Sequence, residues 1–250
     1  MYDLLDRSLD PRGPDAMLAL AIEWLTPASR VLDVGCRDGS YLIELVRAAG
    51  ASGVGLDPVT RLVDQARKAV GEAGLNERIE IVEGVVQHIP SSDGSFDLVW
   101  CRDVITVVDD LDTGVEEMTR VLRPGGHLLV YTVFATDRLE PKEAELLGQS
   151  LANVADNLVE ANVEAAFQQS GLEVILKDEI GTEWREYAEE RSHPASQALL
   201  RLARLRRQRD RIVEQTGEDI YGHIEANLHW LVYQFLGKLL PTIYVLRKSE

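Results

Sequence analysis

Val31-Leu-Asp-Val-Gly-Cys-Arg-Asp-Gly39 is the stretch on which the rest of the chain is read. A short apolar strand over residues 30–34 runs into a turn containing Gly35 and Gly39. Residues 40–49 follow as a helix with Leu42, Leu45 and Val46 on one side. The alternation continues outward from there. Residues 51–56 read as a second strand, and residues 60–72 place Leu62, Val63, Ala66 and Val70 at helical spacing. Residues 78–83 and 96–101 read as the third and fourth strands. A helix over 111–122 is stopped by Arg123-Pro-Gly-Gly126, and residues 127–134 form a fifth, largely apolar strand. Strands alternating with helices predict right-handed crossovers and a parallel sheet covered on both faces. Such sheets bind ligands beyond the carboxyl ends of their strands, where the strand order reverses.

After Ala135 the pattern changes. Residues 141–157 read as helix, and 163–170 lead through Gly171 into a strand over 172–176. Residues 184–237 are long and helical, holding six of the fifteen aromatics and three of the five histidines. Pro241 ends this block and 242–246 is extended. No repeat, low-complexity tract or Pro/Ser-rich linker marks a boundary, so the expectation is a single domain over 1–250. Within it, 28–135 forms the ligand-binding core and 182–240 a helical insertion that covers the ligand crevice.

Charge narrows the partners. Against 26 Lys and Arg stand 42 Asp and Glu, a net −16. Proteins that neutralise phosphates show the opposite balance, which argues against nucleic acid and against anionic membranes as partners. One local exception is the run from Arg201 to Arg211, with six arginines in eleven residues. Leu199, Leu202, Leu205 and Ile212 make it an amphipathic helix with a solvated basic face, which leaves room for a homodimer contact or an anionic-substrate site. No apolar run is long enough to span a bilayer, and the first residues lack the basic-then-apolar pattern of a secretory leader. Cys36 and Cys101 form neither a disulfide framework nor a paired zinc motif, and no His/Asp/Glu cluster suggests a metal. The expectation is therefore a cytoplasmic protein with reduced thiols.

The chemistry gathers at the strand ends. The glycines of 35–39 lack the G-x-G-x-x-G spacing by which a dinucleotide's pyrophosphate approaches a helix N-terminus. Asp33, beside the turn, would repel a diphosphate and attract a cation. Asp57, at the end of the second strand, suits a ribose diol, because a carboxylate can accept from both hydroxyls. A ligand with a ribose and a cationic end, and without phosphate, points to S-adenosylmethionine.

Four segments in register carry a more specific likeness: 31–39, Gly55-Leu-Asp-Pro58, Glu83-Gly-Val-Val-Gln-His-Ile-Pro90 with Phe96-Asp-Leu-Val99, and Val121-Leu-Arg-Pro-Gly-Gly126. On these the chain resembles the class I S-adenosylmethionine-dependent methyltransferases, in the broad branch that acts on small molecules. The resemblance covers about residues 28–135. It implies a Rossmann-like doubly wound sheet of seven strands, order 3-2-1-4-5-7-6, with the last strand antiparallel. It also implies that Gly35 and Gly39 lie under the methionine part of the cofactor and that Asp33 faces its ammonium. Asp57 and the adjoining Pro58 match the ribose end, Val85 and Val86 match the adenine loop, and the carbonyl of Cys101 faces the ammonium.

Three departures stand out. Arg37 replaces a glycine of the family's turn, so the turn is expected to form without a positive φ there. Val85 replaces an Asp that would accept from the adenine amino group, which implies more apolar adenine recognition. Thr106 and Val107 stand where relatives carry substrate-facing histidines. The acceptor side must therefore be sought in the insertion: His193 and His229 are candidate general bases, and Trp184, Tyr187, Trp230 and Tyr233 candidate substrate contacts. His88 and His127 read as structural, Cys101 as an apolar core residue, and His223 as a surface residue. The expected reaction is in-line methyl transfer to a small-molecule acceptor. The alternatives are a non-catalytic S-adenosylmethionine-binding module and a protein or RNA methyltransferase.

Overall fold

The computed structural model describes residues 2–249, and the chain resolves into two compact units. One comprises 17–132, 160–178 and the C-terminal segment from Ile243; the other comprises the N-terminal residues to Ala16, 133–159 and 179–242.

The strands are β1 (Arg30–Val34), β2 (Ser52–Asp57), β3 (Ile79–Glu83), β4 (Phe96–Arg102), β5 (Leu122–Ala135), β6 (Leu172–Glu179) and β7 (Leu239–Lys248). They form one sheet in the order β3-β2-β1-β4-β5-β7-β6. The pairs β1–β2, β1–β4, β2–β3 and β4–β5 are parallel. β7 runs the other way: Lys248 at its end donates to the carbonyl of Leu122 at the start of β5, while Thr136, just past β5, donates to Lys238. The same holds against β6, where Arg247 meets Glu173 and Ile180 donates to Pro241. The expected order and the antiparallel last strand are therefore both present. Residues 31–34 of β1 are buried without alternation, as a sheet covered on both faces requires.

In the first unit, helices α2 (Asp15–Ile22, from Met17 onward), α3 (Ser40–Ala49), α4 (Thr60–Glu72), α5 (Leu111–Val121) and α7 (Glu160–Gln169) accompany these strands; α1 (Tyr2–Leu5) precedes them in the chain and belongs to the second unit. α3 buries Leu42, Ile43, Leu45 and Val46 on the side read from sequence. It ends at Gly50 in the left-handed conformation, which leaves its last carbonyls to a glycine cap. α5 begins where the Asp110 side chain accepts from the N–H of Thr113.

The second unit holds α6 (Pro141–Leu151), α8 (Glu183–Ser192), α9 (Pro194–Arg207), α10 (Arg209–Thr216) and α11 (Glu218–Phe235). α6 opens with a capping box between Glu140 and Glu143 around Pro141, and stops at Ala152, short of the Asn157 expected from sequence. The long block 184–237 is four helices, broken at His193, Gln208 and Gly217.

Two further boundaries differ from the sequence reading because strand pairing overrides the local signal. Arg123-Pro-Gly-Gly126 ends α5 as expected, yet it already lies within β5. Phe96 pairs with Leu122 and Leu98 with His127, so the intervening residues bulge out with Gly125 at φ +71°. Pro241 lies inside β7 instead of ending a helix: Ile180 needs only its carbonyl, and α11 has already stopped at Phe235.

Candidate functional site

The turn after β1 is held by main-chain bonds to the next strand. The N–H groups of Gly35 and Cys36 both donate to the carbonyl of Leu56, at 2.8 and 3.0 Å, and Gly39 closes the turn on Cys36 at 2.8 Å. Gly35 and Gly39 have φ of +71° and +76°. A Cβ at Gly35 would lie 2.4 Å from a methyl of Val104, which would have to move, and one at Gly39 would sit tightly, 3.3 Å from Cβ of Ala66. Arg37 corrects the sequence reading. It takes φ +52°, so the left-handed conformation of the family's glycine is kept by an arginine, at a cost of about 1–2 kcal/mol.

Asp57 fixes that conformation. It is 3% exposed at the end of β2, and its carboxylate accepts from the N–H of Arg37 through Oδ2 and from that of Val59 through Oδ1, both at 2.9 Å. One side chain thus ties the glycine turn to the start of α4 and keeps further lone pairs for a ligand. Asp33, equally buried, lies in β1 opposite Gly55 and Trp100. Burial first, and the Asp57 charge second, push its carboxyl well above the usual carboxylate range, while the Arg102 guanidinium pulls the other way. That guanidinium sits 4.4 Å over the Tyr41 ring and 5.5 Å over that of Tyr131. Neither arginine nor tyrosine was singled out from the sequence, because a cation at the end of β4 gives no spacing signal. Cys36 and Cys101 are buried, and burial raises both thiols, which disfavours the nucleophilic thiolate.

Beside the turn lies a cavity of about 220 Å³ whose walls include Val34, Leu56, Pro58, Val85, Val86 and Val107. Gly35 and Gly84 form part of its floor. Pro58, Val85 and Val86 thus line one slot. Gln87, Val104 and Asp109 line it as well and were missed; only the polar Gln87 and Asp109 bring side-chain hydrogen-bonding groups to an otherwise apolar wall. The loop carrying Val85 and Val86 is anchored behind the slot. Arg120 donates to the carbonyls of Ile89 and Ser91 and pairs with Glu117, which in turn accepts from the N–H of Ile89. Thr106 is buried in a short 3-10 turn. His127 stacks on Trp24 at 4.8 Å, and its packing and the nearby arginines lower its pKa, in keeping with a structural residue.

The acceptor-side candidates all lie in the second unit. Trp184 is buried on α8, and Tyr187 lies against Gly13 and under the Arg191 guanidinium at 3.6 Å. His193 is exposed at φ +53°, where α8 ends and α9 begins. On α11, Trp230 is half-buried, and the buried Tyr233 and His229 rings are 5.2 Å apart. Burial and the adjacent Glu143 push the Tyr233 phenol up to about 12. Arg206 can only donate, so His229 accepts through Nε2 at 3.0 Å and its Nδ1–H donates to the carbonyl of Glu225 at 2.8 Å. His223 is exposed and bonded to the carbonyl of Ser150.

The donor set suits S-adenosylmethionine on these observations: two buried carboxylates at adjacent strand ends, a turn with left-handed, tightly packed glycines at 35 and 39, and an apolar slot with two polar groups. Among the described residues no group of three His, Cys, Asp or Glu could hold a metal ion. No described helix is long and apolar enough to cross a membrane.

Comparison with known proteins agrees with this geometry. Residues 32–130 match the model of the methyltransferase domain. A demethylmenaquinone methyltransferase of Deinococcus radiodurans is 41% identical over 133 residues, which is 52% of this chain and 54% of that protein. Among solved structures, the [4+2]-cyclase SpnF superposes with a TM-score of 0.74 at 19% identity, covering 94% of this chain and 80% of that one. A geranyl diphosphate methyltransferase in complex with S-adenosylmethionine superposes with 0.71 at 15% identity, covering 94% and 85%. At those identities the structures speak for the fold alone. The chain spans about half the length of the curated relatives it matches. The glycine turn, Asp33, Asp57 and the apolar slot all fall within the segment 32–130 that matches the methyltransferase domain.

Proposed function

We propose that this chain binds S-adenosylmethionine and transfers its methyl group to a small-molecule acceptor. The observation that carries the reading is the pair Asp33 and Asp57, buried at neighbouring strand ends beside a turn whose Gly35 and Gly39 are left-handed and tightly packed. When bound, the cofactor supplies a methyl group on a sulfonium, ready for in-line displacement by a nucleophile. The residues then divide the work. Asp57 accepts from the ribose hydroxyls through lone pairs that Arg37 and Val59 leave free. Asp33 and the carbonyl of Cys101 face the ammonium, while Gly35 and Gly39 let the main chain approach. Pro58, Val85 and Val86 hold the adenine in the apolar slot.

Methyl transfer from a sulfonium asks the protein mainly to hold nucleophile and methyl in line, and such positioning can supply about 7–11 kcal/mol. An acceptor hydroxyl or amine also needs a base, worth about 10²–10⁴-fold. His193 and His229 remain the candidates for that role, and Trp184, Tyr187, Trp230 and Tyr233 those for acceptor contacts, with 182–240 acting as a lid. His193 is the freer of the two bases, since His229 would have to give up Arg206. The charge of −16 speaks against nucleic acid as the acceptor. A cytoplasmic homodimer completes the reading.

Native mass spectrometry for a co-purified cofactor, titration with S-adenosylhomocysteine and a tritium-methyl screen over acceptor classes test it together. Micromolar binding with label transfer to a small molecule is expected. Failure to bind S-adenosylhomocysteine sinks the proposal, and binding without transfer to any class favours the non-catalytic module. Hydrogen exchange over 182–240 should slow when S-adenosylhomocysteine and acceptor are both present. Indifference there removes the lid.

A further inference from the structure

The two open edges of the sheet are treated differently. At one, β3 has five residues, and its exposed positions are Glu80 and Glu83. Charges on a short strand discourage another strand from adding there. At the other edge, β6 has eight residues, and Val174, Ile175 and Leu176 in succession are 44, 42 and 38% exposed. Three consecutive apolar residues on an edge strand offer both faces and an open row of main-chain groups, which natural sheets usually suppress. Glu173 and Lys177 flank them, two residues either side of Ile175 and therefore on its face. Glu173 pairs with Arg247 at 2.7 Å, and Lys177 with Glu160 and Glu164 at 2.9 and 3.0 Å.

We propose that a second copy of this chain docks here, β6 against β6, antiparallel about a two-fold axis through Ile175, joining the two sheets into one. The register follows from symmetry and charge. A two-fold axis perpendicular to the sheet keeps every side chain on its own face. With the axis at Ile175, Glu173 of each copy faces Lys177 of the other, Val174 faces Leu176, and Ile175 faces itself. Moving the axis to Leu176 sets Glu173 against Glu179 and Ile175 against Lys177. Moving it to Val174 sets Glu173 against Ile175. Only the central register matches opposite charges and apolar partners at once, the pairings that stabilise antiparallel strands. It also links two ion-pair groups, Arg247 with Glu173 of one copy and Lys177 with Glu160 and Glu164 of the other.

The inference gives the homodimer of the proposed function a surface, and its test is separable from the methyl-transfer reading because S-adenosylhomocysteine affinity is measured on the same samples. Sedimentation of the full chain across a concentration series should give a dimer. Ile175→Lys places like charges on the axis and should give a monomer, with near-ultraviolet dichroism and S-adenosylhomocysteine affinity unchanged. Ile175→Cys should form an interchain disulfide on mild oxidation. Val174→Cys alone should not, because its two copies are offset by two residues along the strands, beyond disulfide reach. Mixed with Leu176→Cys it should cross-link. Cys36 and Cys101 are buried and leave the background clean. A monomeric wild type, a dimer that survives Ile175→Lys, or Val174→Cys cross-linking better than Ile175→Cys overturns the proposal. Should Ile175→Lys lose its fold, the cysteine pattern decides alone. A wild type that stays monomeric but binds an extended peptide from another protein at this edge also overturns it.

Discussion

Asp57→Ala tests the centre of the site, because one carboxylate there does two separable things. In the free protein it accepts the N–H groups of Arg37 and Val59 at 2.9 Å. Alanine leaves both donors without that acceptor. Each such loss costs about 1–3 kcal/mol when the donor is buried. Arg37 and Val59 are exposed residues, so water can reach the freed groups and the lower end applies, about 2 kcal/mol in all. At about 2–4 °C per kcal/mol for a chain of this size, the melting temperature should fall by about 4–8 °C. In the complex, the same carboxylate would also lose the ribose hydroxyls, about 2–4 kcal/mol for a buried charged acceptor. Calorimetric titration with S-adenosylhomocysteine should then show a dissociation constant raised by about 30- to 1,000-fold. Asp57→Asn keeps one acceptor oxygen and should fall between the two. A melting temperature that drops as expected beside an affinity within about threefold of wild type would refute the ribose assignment while leaving the turn-stapling role intact.

Three further perturbations probe the same turn. Gly35→Ala forces a Cβ at φ +71° to within 2.4 Å of Val104, and should cost about 2–4 kcal/mol by thermal melting; a neutral result would show that the turn can re-form without the left-handed residue. Arg37→Gly should do the reverse, removing about 1–2 kcal/mol of left-handed strain against about 0.5–1 kcal/mol of added chain entropy, for a melting temperature unchanged or raised by up to about 6 °C. A lower melting temperature would mean that the guanidinium stabilises the fold by more than its backbone strains it. Asp33→Asn gives a pH test. Burial raises the folded pKa of Asp33 above its unfolded value, so the stability linked to its proton is fully present below the unfolded pKa and is lost as pH rises through the folded one. Asparagine mimics the protonated form. The variant should therefore match wild type near the unfolded carboxylate pKa and become progressively more stable above it, and parallel melting curves across that range would dismiss the burial effect.

The sheet was legible because its evidence is local and repeated. Apolar runs of strand length, helices with one apolar side and glycines at the turns between them agree from Arg30 to Val121, and burial along β1, β2 and β4 follows that reading closely. Boundaries failed where tertiary pairing overrode local signals. The Arg123-Pro-Gly-Gly126 stop is also a bulge, since β4 pairs on both sides of it. Pro241 reads as a terminator but serves inside β7, where only its carbonyl is needed. Arg37 shows a third kind of miss. A residue type that avoids positive φ argues against the left-handed turn, yet Asp57 accepts the Arg37 N–H and the Leu56 carbonyl holds Gly35 and Cys36, so the surroundings fix the conformation whatever the side chain.

The proposed cofactor residues and the proposed acceptor residues differ in legibility for a physical reason. The proposed cofactor recognition would rely on main-chain groups and short acids at strand ends, positions that the strand–turn–helix pattern marks in advance, so Asp33, Asp57, Gly35 and Gly39 could be nominated from the sequence, and the structure places them buried or tightly packed around one turn. Acceptor recognition would rely on aromatic and imidazole side chains of helices, and those residue types have other work to do. His229 completes a bond from Arg206 to the Glu225 carbonyl, and Tyr187 supports Arg191 while packing on Gly13. α8 carries Glu-Trp-Arg-Glu-Tyr-Ala-Glu-Glu-Arg-Ser and is half-buried along most of its length, so no face of it is marked by composition as facing a ligand. A histidine whose two nitrogens are both bonded gains stability from staying as it is, and its use as a base would break a charge-assisted bond. The same residue type exposed at a helix junction, as His193 is, carries no such cost. Residue type could therefore nominate both histidines, whereas only their hydrogen-bond partners distinguish them, and the decisive one, Arg206 on His229, comes from a different helix, α9, which sequence spacing does not bring to α11.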